Sequence, residues 1–198
     1  MSESAHVPDP RRAARLTRVR SALRDPEPSV RESAARALER MERREDAQAL
    51  LERLGSADIV TRLNAIYGLG ALGDPAGVAA LVQVLGDDSE DVRAAAVRTL
   101  GELRDPSTLE PIAARLDDAS SLVRRHALES LGRFGDRRLV PILLAALADA
   151  DPDTACEALR ALGACGDAAA EPEICRHLEH PSPSVRAAAL HALGELDT

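Results

Sequence analysis

The 198-residue chain has no Trp and no Lys, one Tyr and one Phe. So little aromatic volume excludes a compact core of ordinary composition. Hydrophobic residues still make up 45% of the chain, mostly Ala, Leu and Val. Ala and Leu are strong helix formers, and the residues that favour strands are scarce, so the chain is expected to be all-α, built in thin, closely packed layers. No apolar run approaches the roughly 20 residues of a membrane span. Residues 1–10 are polar and hold Pro, unlike a secretory leader. These absences predict a cytoplasmic protein with no membrane partner. Only three Cys occur, Cys156, Cys165 and Cys175, and none forms a CxxC pair; reduced thiols are expected. The all-Arg basic set points to a GC-rich, bacterial genome. Net charge is −8. Residues 1–53 hold 12 Arg against 10 acids, and residues 54–198 hold 13 Arg against 23 acids. An acidic body excludes general nucleic-acid binding, which requires phosphate neutralisation. No P-loop, GxSxG, HExxH or dinucleotide fingerprint is present, so neither an enzyme nor a cofactor or metal is expected.

What the chain does have is repetition. The segment DVRAAAVRTLGELRDP at residues 91–106 recurs 31 residues earlier as VTRLNAIYGLGALGDP and 31 later as LVRRHALESLGRFGDR. Its anchor Leu falls at 38, 69, 100, 131, 162 and 193, always 31 apart. Within the third copy Val92, Ala96, Thr99, Leu100 and Leu103 trace one face of a helix. A shorter helix precedes each copy, with columns through Leu81, Ile112, Leu143, Ile174 and Leu85, Leu116, Leu147, Leu178. Asp74-Pro75 and Asp105-Pro106 read as an N-cap followed by Pro at the first helical position. Each repeat is thus a helical hairpin, a first helix A and a second helix B. Neither can bury its apolar face alone, so hairpins must stack. The expectation is six 31-residue hairpins and about twelve helices in one domain over residues 10–198, after a disordered tail at 1–9.

One column recurs at the start of helix B: Arg31, Arg62, Arg93, Arg124 and Arg186, with Ala155 in the fifth repeat. The turn column before it reads Asp25, Ser56, Asp87, Asp118, Asp149 and His180. An Arg–Asp ladder between layers would satisfy both sets of charge, and should be weakest at Ala155, which predicts the most flexible layer there. The alternative is an anion-binding row.

The pattern VRxxAxxxLGxLGDP at this period resembles HEAT repeats of the short type found in phycobilin lyase subunits. The resemblance covers residues 11–198. It implies a right-handed α-α superhelix, with A helices on the convex side and B helices lining a concave side. The deoxyhypusine hydroxylases are similar solenoids that hold iron through His-Glu pairs at the start of helix B. Here those positions are Glu32-Ser33, Leu63-Asn64, Ala94-Ala95, Arg125-His126, Cys156-Glu157 and Ala187-Ala188, so that chemistry is not expected. The HEAT-like DNA glycosylases rely on a basic, aromatic-bearing groove, which this acidic chain lacks. A subunit of a lyase-like chromophore-transfer enzyme, or a regulatory subunit of another enzyme, stays open as the alternative function.

Packing columns must repeat, whereas a binding surface need not. On helix B the face away from the core carries Arg36, Tyr67, Arg98, Glu129, Arg160 and His191, one per layer, flanked by Leu63, Asn64, Arg125, His126, Cys156 and Glu157. Tyr and Arg are the residue types enriched at interface centres, and Leu63 lies one turn from Tyr67. This row is the candidate site. It predicts a non-catalytic scaffold or adaptor that binds another protein, as a helix or peptide segment, on its concave face. Cys156 is expected to be the accessible thiol of that face, Cys165 and Cys175 to be core. The first helix carries Arg11, Arg12, Arg15, Arg18, Arg20 and Arg24 in its vicinity, as a polar cap would. The last helix has no such cap, so weak self-association through the C-terminal repeat is a second expectation.

Overall fold

The computed structural model describes residues 10–196, with the side chains of all but 10–13 and 43–45. The expected tail at 1–9 and the side chains of Arg11 and Arg12 lie outside the described residues. Eleven α-helices and no strand occur among those residues. They fall into two compact units that divide between Ala49 and Leu50.

The first unit contains α1 (Pro10–Ala22) and most of α2 (Pro28–Leu54). Here the repeat pattern misleads. A turn was expected near residues 42–46, yet α2 runs through that stretch as one helix of 27 residues. The other repeats stop helix B with Gly or its substitute and restart with Asp-Pro or Asp. In this copy the equivalent positions hold Glu42, Arg43 and Arg44, none of which breaks a helix. Two of the expected twelve helices are therefore one.

The second unit alternates B and A helices: α3 (Ile59–Leu72), α4 (Pro75–Val84), α5 (Glu90–Leu103), α6 (Leu109–Ala113), α7 (Ser121–Phe134), α8 (Val140–Ala146), α9 (Pro152–Cys165), α10 (Glu171–Arg176) and α11 (Pro183–Glu195). The B helices are long. The later A helices are short, because their first turn is 3-10 and is followed by Pro111, Pro141 or Pro172, which has no N–H to give an α-helical bond. Local chemistry sets each boundary. Asp74, Asp105, Asp136 and Asp167 accept the backbone N–H two residues on, at 2.7–3.0 Å. Gly73, Gly135 and Gly166 end their B helices at φ near +60°. Arg104 takes the same left-handed conformation at φ 52° without being Gly, at a cost of about 1 kcal/mol or more.

The anchor column packs as the repeat predicts: Leu69, Leu100, Leu131 and Leu162 are buried, as are Leu81, Ile112, Leu143 and Ile174 of the A helices. Successive B helices approach closely through small residues. A Cβ placed on Gly132 would stand 3.0 Å from the Ala161 Cα, and one on Gly163 would stand 2.9 Å from the Ala192 Cα. The scarcity of aromatic residues now has a structural reason, since layers this close leave no room for rings.

Candidate partner-binding face

The Arg column positions the layers on which the site is built. Each of these Arg side chains first grips its own turn: Arg31 Nη1 donates to the Asp25 carbonyl, Arg62 to Ser56, Arg93 to Asp87, Arg124 to Asp118 and Arg186 to His180, all at 2.8–3.0 Å. Three of them also reach the turn of the following repeat. Arg62 Nη2 donates to Asp87 at 3.0 Å. Arg93 binds Asp118 through two bonds of 2.9 and 2.8 Å, and Arg124 binds Asp149 through two of 2.6 and 3.1 Å. Such two-pronged pairs are the strong form of the interaction. Burial pushes the Asp118 carboxyl up, but the Arg93 and Ser120 donors outweigh it and leave it below its ordinary value. Arg124 holds Asp149 below the ordinary value as well, against burial. At Ala155 the rung is missing, and its carboxylate is missing too: His180 stands there, and its Nδ1 accepts the Ser182 N–H at 3.1 Å. The guanidinium groups of Arg62, Arg93 and Arg124 are thus occupied by carboxylates and carbonyls rather than held open for an anion.

The B-helix face of the second unit is a chain of shallow hollows. One of about 240 Å³ is lined by Leu63, Tyr67, Asp91, Arg98, Leu122 and His126 among others. It shares His126 with a hollow of about 200 Å³ that adds Arg125, Glu129 and Glu157. That in turn shares Glu129 and Glu157 with one of about 250 Å³ reaching Arg133 and Arg160. Tyr67 opens a fourth on its other side, about 310 Å³, with Ala71, Thr99 and Glu102. Eight of the residues predicted from sequence therefore line one connected surface across α3, α5, α7 and α9: Leu63, Tyr67, Arg98, Arg125, His126, Glu129, Glu157 and Arg160. Asn64 and His191 are exposed on α3 and α11 outside these hollows. Arg36 belongs to the first unit, exposed, with Glu32 at 3.2 Å.

The charges on this face are wired together. Tyr67 is 44% exposed, and the Arg98 guanidinium lies 5.3 Å from its ring centroid, within reach of a cation–π contact. Arg98 and Arg133 flank Glu102 at 3.8 and 3.9 Å. Arg133 donates to Glu129 at 2.9 Å, and His126 Nδ1 lies 3.2 Å from the other Glu129 oxygen. Burial raises Glu129, yet His126 and Arg133 bring it below its ordinary value, so Glu129 accepts and His126 donates. Arg125 pairs with Asp153 at 3.4 Å, and Arg160 with Glu157. Glu102 and Arg133 were missed by a reading that took one position per layer. Their signal was present: each stands four residues from a predicted partner, Arg98 or Glu129, with opposite charge.

The thiols exchange the roles expected of them. Cys156 is buried and Cys175 is exposed. Cys156 shares its column with Ala94, also buried, whereas the longer Arg125 of that column is partly exposed. Cys175 shares its column with Val82 and Leu144, which are partly buried, but among the described residues no further A helix follows α10 and the thiol is exposed. Cys165 is buried, its thiol pushed up to about 11 by burial and by the charges of Asp136 and Asp167. His177 and His180 stack with ring centroids 6.2 Å apart, while His177 Nδ1 donates to the Glu173 carbonyl. Among the described residues no three His, Cys, Asp or Glu side chains converge as metal ligands would, and no helix is long and apolar enough to cross a membrane. A further hollow of about 300 Å³ lies beside the Arg124–Asp149 pair, walled mainly by Ala113 of α6, Ile142, Ala145 and Ala146 of α8, and Leu116 and Leu128.

A family model of HEAT repeats matches residues 16–95, 47–132, 78–154 and 140–198. No curated protein matches the chain. Among solved structures, the complex of CpcE and CpcF of phycocyanin lyase from Nostoc sp. PCC7120 is 28% identical with a TM-score of 0.67 over 76% of this chain. The chain spans 64% of that relative's length. YibA of Escherichia coli aligns at 18% identity and a TM-score of 0.64, covering 98% of this chain and 77% of its own. A designed armadillo repeat protein in complex with the peptide (KR)4 aligns at 20% and 0.55, covering 92% and 99%. The last two likenesses are of fold.

Proposed function

Because the chain belongs to the HEAT-repeat family, we propose that it is a non-catalytic scaffold whose B-helix face, the concave side of such stacks, binds a helix or peptide segment of another protein. The observation that carries this reading is the connected surface around Tyr67 and Arg98. An exposed aromatic ring held by a guanidinium presents apolar area at low entropic cost, as interface centres do. Leu63 and Leu122 add apolar walls to the same hollow. The surrounding carboxylates and guanidiniums are paired with each other, which suits a polar rim better than acid–base chemistry. The reading includes a bacterial, cytoplasmic setting in which the protein acts as an adaptor.

The test is capture of partners from a cytoplasmic lysate by wild type and by the double variant Tyr67→Ala/Arg98→Glu, both matched for helicity and melting. One protein retained by wild type and lost by the variant is the expected result. Equal retention by both would remove this face from consideration.

The likeness to the lyase complex supports a second reading, a subunit of an enzyme that transfers a tetrapyrrole. It predicts a purified protein that takes up a bilin and absorbs in the visible, with the absorbance weakened by the same double variant.

A further inference from the structure

We infer that the hollow between α6 and α8, beside the Arg124–Asp149 pair, is a binding site for a small molecule that carries an alkylguanidinium group. Its volume of about 300 Å³ stands at the lower end of the range for small-molecule sites. None of the eight partner-face residues lines it, so the inference stands apart from the scaffold reading.

The repeat shows what fits. Residues 31 apart hold equivalent places in successive layers, and the column that borders the hollow reads Val84, Arg115, Ala146 and His177. In the layer before, Arg115 reaches back and its Nη1 donates to the Leu85 carbonyl at 2.9 Å. Burial raises the Asp118 carboxyl there; Arg93 and Ser120 lower it, and the Arg115 charge adds to them. Leu85 and Asp118 are the counterparts of Leu116 and Asp149, and both of these line the hollow. In the layer after, His177 takes the column. Its Nδ1 lies 2.9 Å from the Glu173 carbonyl, and its ring stacks on His180, the counterpart of Asp149. Between the two stands Ala146, whose side chain ends at Cβ. The hollow is the space that a longer side chain takes up in both neighbouring layers. In one of them that side chain is an alkyl stem with a guanidinium head.

Charge selects a cation. The Arg124 guanidinium is engaged on all three nitrogens, Nε and Nη2 by Asp149 and Nη1 by the Asp118 and Ala119 carbonyls. It therefore balances Asp149 and does not call for an anion. The remaining charged residue of the lining is Asp117, which is exposed and forms no ion pair among the described residues. Its counterpart one layer earlier is Gly86, so the repeat itself does not require a carboxylate at that place. The lining is left with one negative charge uncompensated. The walls suit the stem: Ala113, Leu116, Ala145 and Ala146 are apolar, and Ile142 leaves 37% of its surface exposed for methylene groups to cover. A guanidinium bound here would donate to the Leu116 carbonyl, as Arg115 does to that of Leu85, and lie beside the Asp117 carboxylate.

Titration of the isotope-labelled full chain with butylguanidinium, followed by amide NMR shifts, tests this. The probe should bind with a Kd of about 1 mM, as its few atoms imply, and shift the amides of residues 113–117 and 142–149. Butylurea, of the same shape without the charge, should not bind. Ala146→Arg should fill the site from within, melting no lower than wild type and losing the shifts. Asp117→Asn, at an exposed position, should weaken binding about fivefold, the value of one exposed ion pair, with melting unchanged. Should Ala146→Arg lose helicity, Asp117→Asn decides by itself, and an unchanged affinity overturns the proposal. Absence of saturable shifts up to about 20 mM, well beyond that Kd, overturns it too. So do shifts that persist in a folded Ala146→Arg, which would put the probe elsewhere, and equal affinity for butylurea, which would make the hollow a purely apolar one. A capped Gly-Arg-Gly peptide should bind no better than butylguanidinium; tighter binding would assign the hollow to an Arg of a partner protein and overturn the small-molecule reading.

Discussion

Two junctions of the same array are held by different chemistry. Between the third and fourth repeats, Arg93 grips Asp118 with side chains only 15% and 5% exposed. Between the fifth and sixth, Ala155 and His180 occupy those positions and no rung forms. The turn nevertheless survives, because the His180 Nδ1 accepts the same backbone N–H that Asp118 accepts in its own turn. The Asp of a rung therefore does two separable things: it caps a turn, and it pairs with an Arg. Where the second is given up, no carboxylate is left behind to be buried alone, which would be costly. The rungless junction rests instead on packing, with Ala155, Ala158 and Ala161 buried and the Gly163–Ala192 approach among the closest between helices.

The largest test of this contrast removes a rung. Asp118→Ala should destabilise the fold by about 3 kcal/mol, because it leaves the largely buried Arg93 charge without a carboxylate. His180→Ala, at the rungless junction, should cost about 1 kcal/mol, the value of one turn-capping bond. Urea unfolding of both variants measures the difference, and equal costs would deny the ladder its role. Next in size is Gly163→Ala, which should cost about 2 kcal/mol by forcing two backbones apart. Gly70→Ala should cost less, about 1 kcal/mol, since its neighbour is the Thr99 methyl group, which can rotate away.

A smaller effect comes from building the absent rung. Ala155→Arg and His180→Asp together should be more stable than the sum of the single changes by about 1 kcal/mol. Amide exchange in α9, expected to be faster than in α5 and α7 in the wild type, should slow in the double variant. Equal exchange in the three wild-type helices would refute the expected flexibility at Ala155. The smallest effect is on pH dependence. Asp118 and Asp149 are held below their ordinary values, so their folded-state pKa lies under that of the unfolded chain. Their stabilisation is present above about pH 4 and is lost as the pH falls through the folded-state values. The urea midpoint should drop below pH 4, and Asp118→Asn should drop less steeply there.

The fold was legible because its signal is periodic. Leu69, Leu100, Leu131 and Leu162 recur at one spacing and land in one core column, and the Asp that opens each A helix caps it as its position implies. The exception at residues 42–46 was legible too, in the absence of Gly, Asp and Pro, but a strict period overrode that local evidence. The candidate face was legible only by elimination, as what fails to repeat. That logic found Tyr67, Arg98 and Glu129 but passed over Glu102 and Arg133, which complete the network between them. Exposure of the thiols was misjudged because a column says which way a side chain points, and the thickness of the neighbouring layer decides whether a short one emerges.

The sequence by itself determined the helical class, the hairpin period, the turn caps and the identity of the ladder residues, since these depend on spacing along the chain and on local backbone chemistry. Only the tertiary structure decided that Arg62, Arg93 and Arg124 reach the Asp of the next repeat as well as the carbonyl of their own turn, that Tyr67 lies within 5.3 Å of a guanidinium, and that Cys156 is covered while Cys175 is not. These depend on distances between helices a whole repeat apart, set by how closely small residues let the backbones approach.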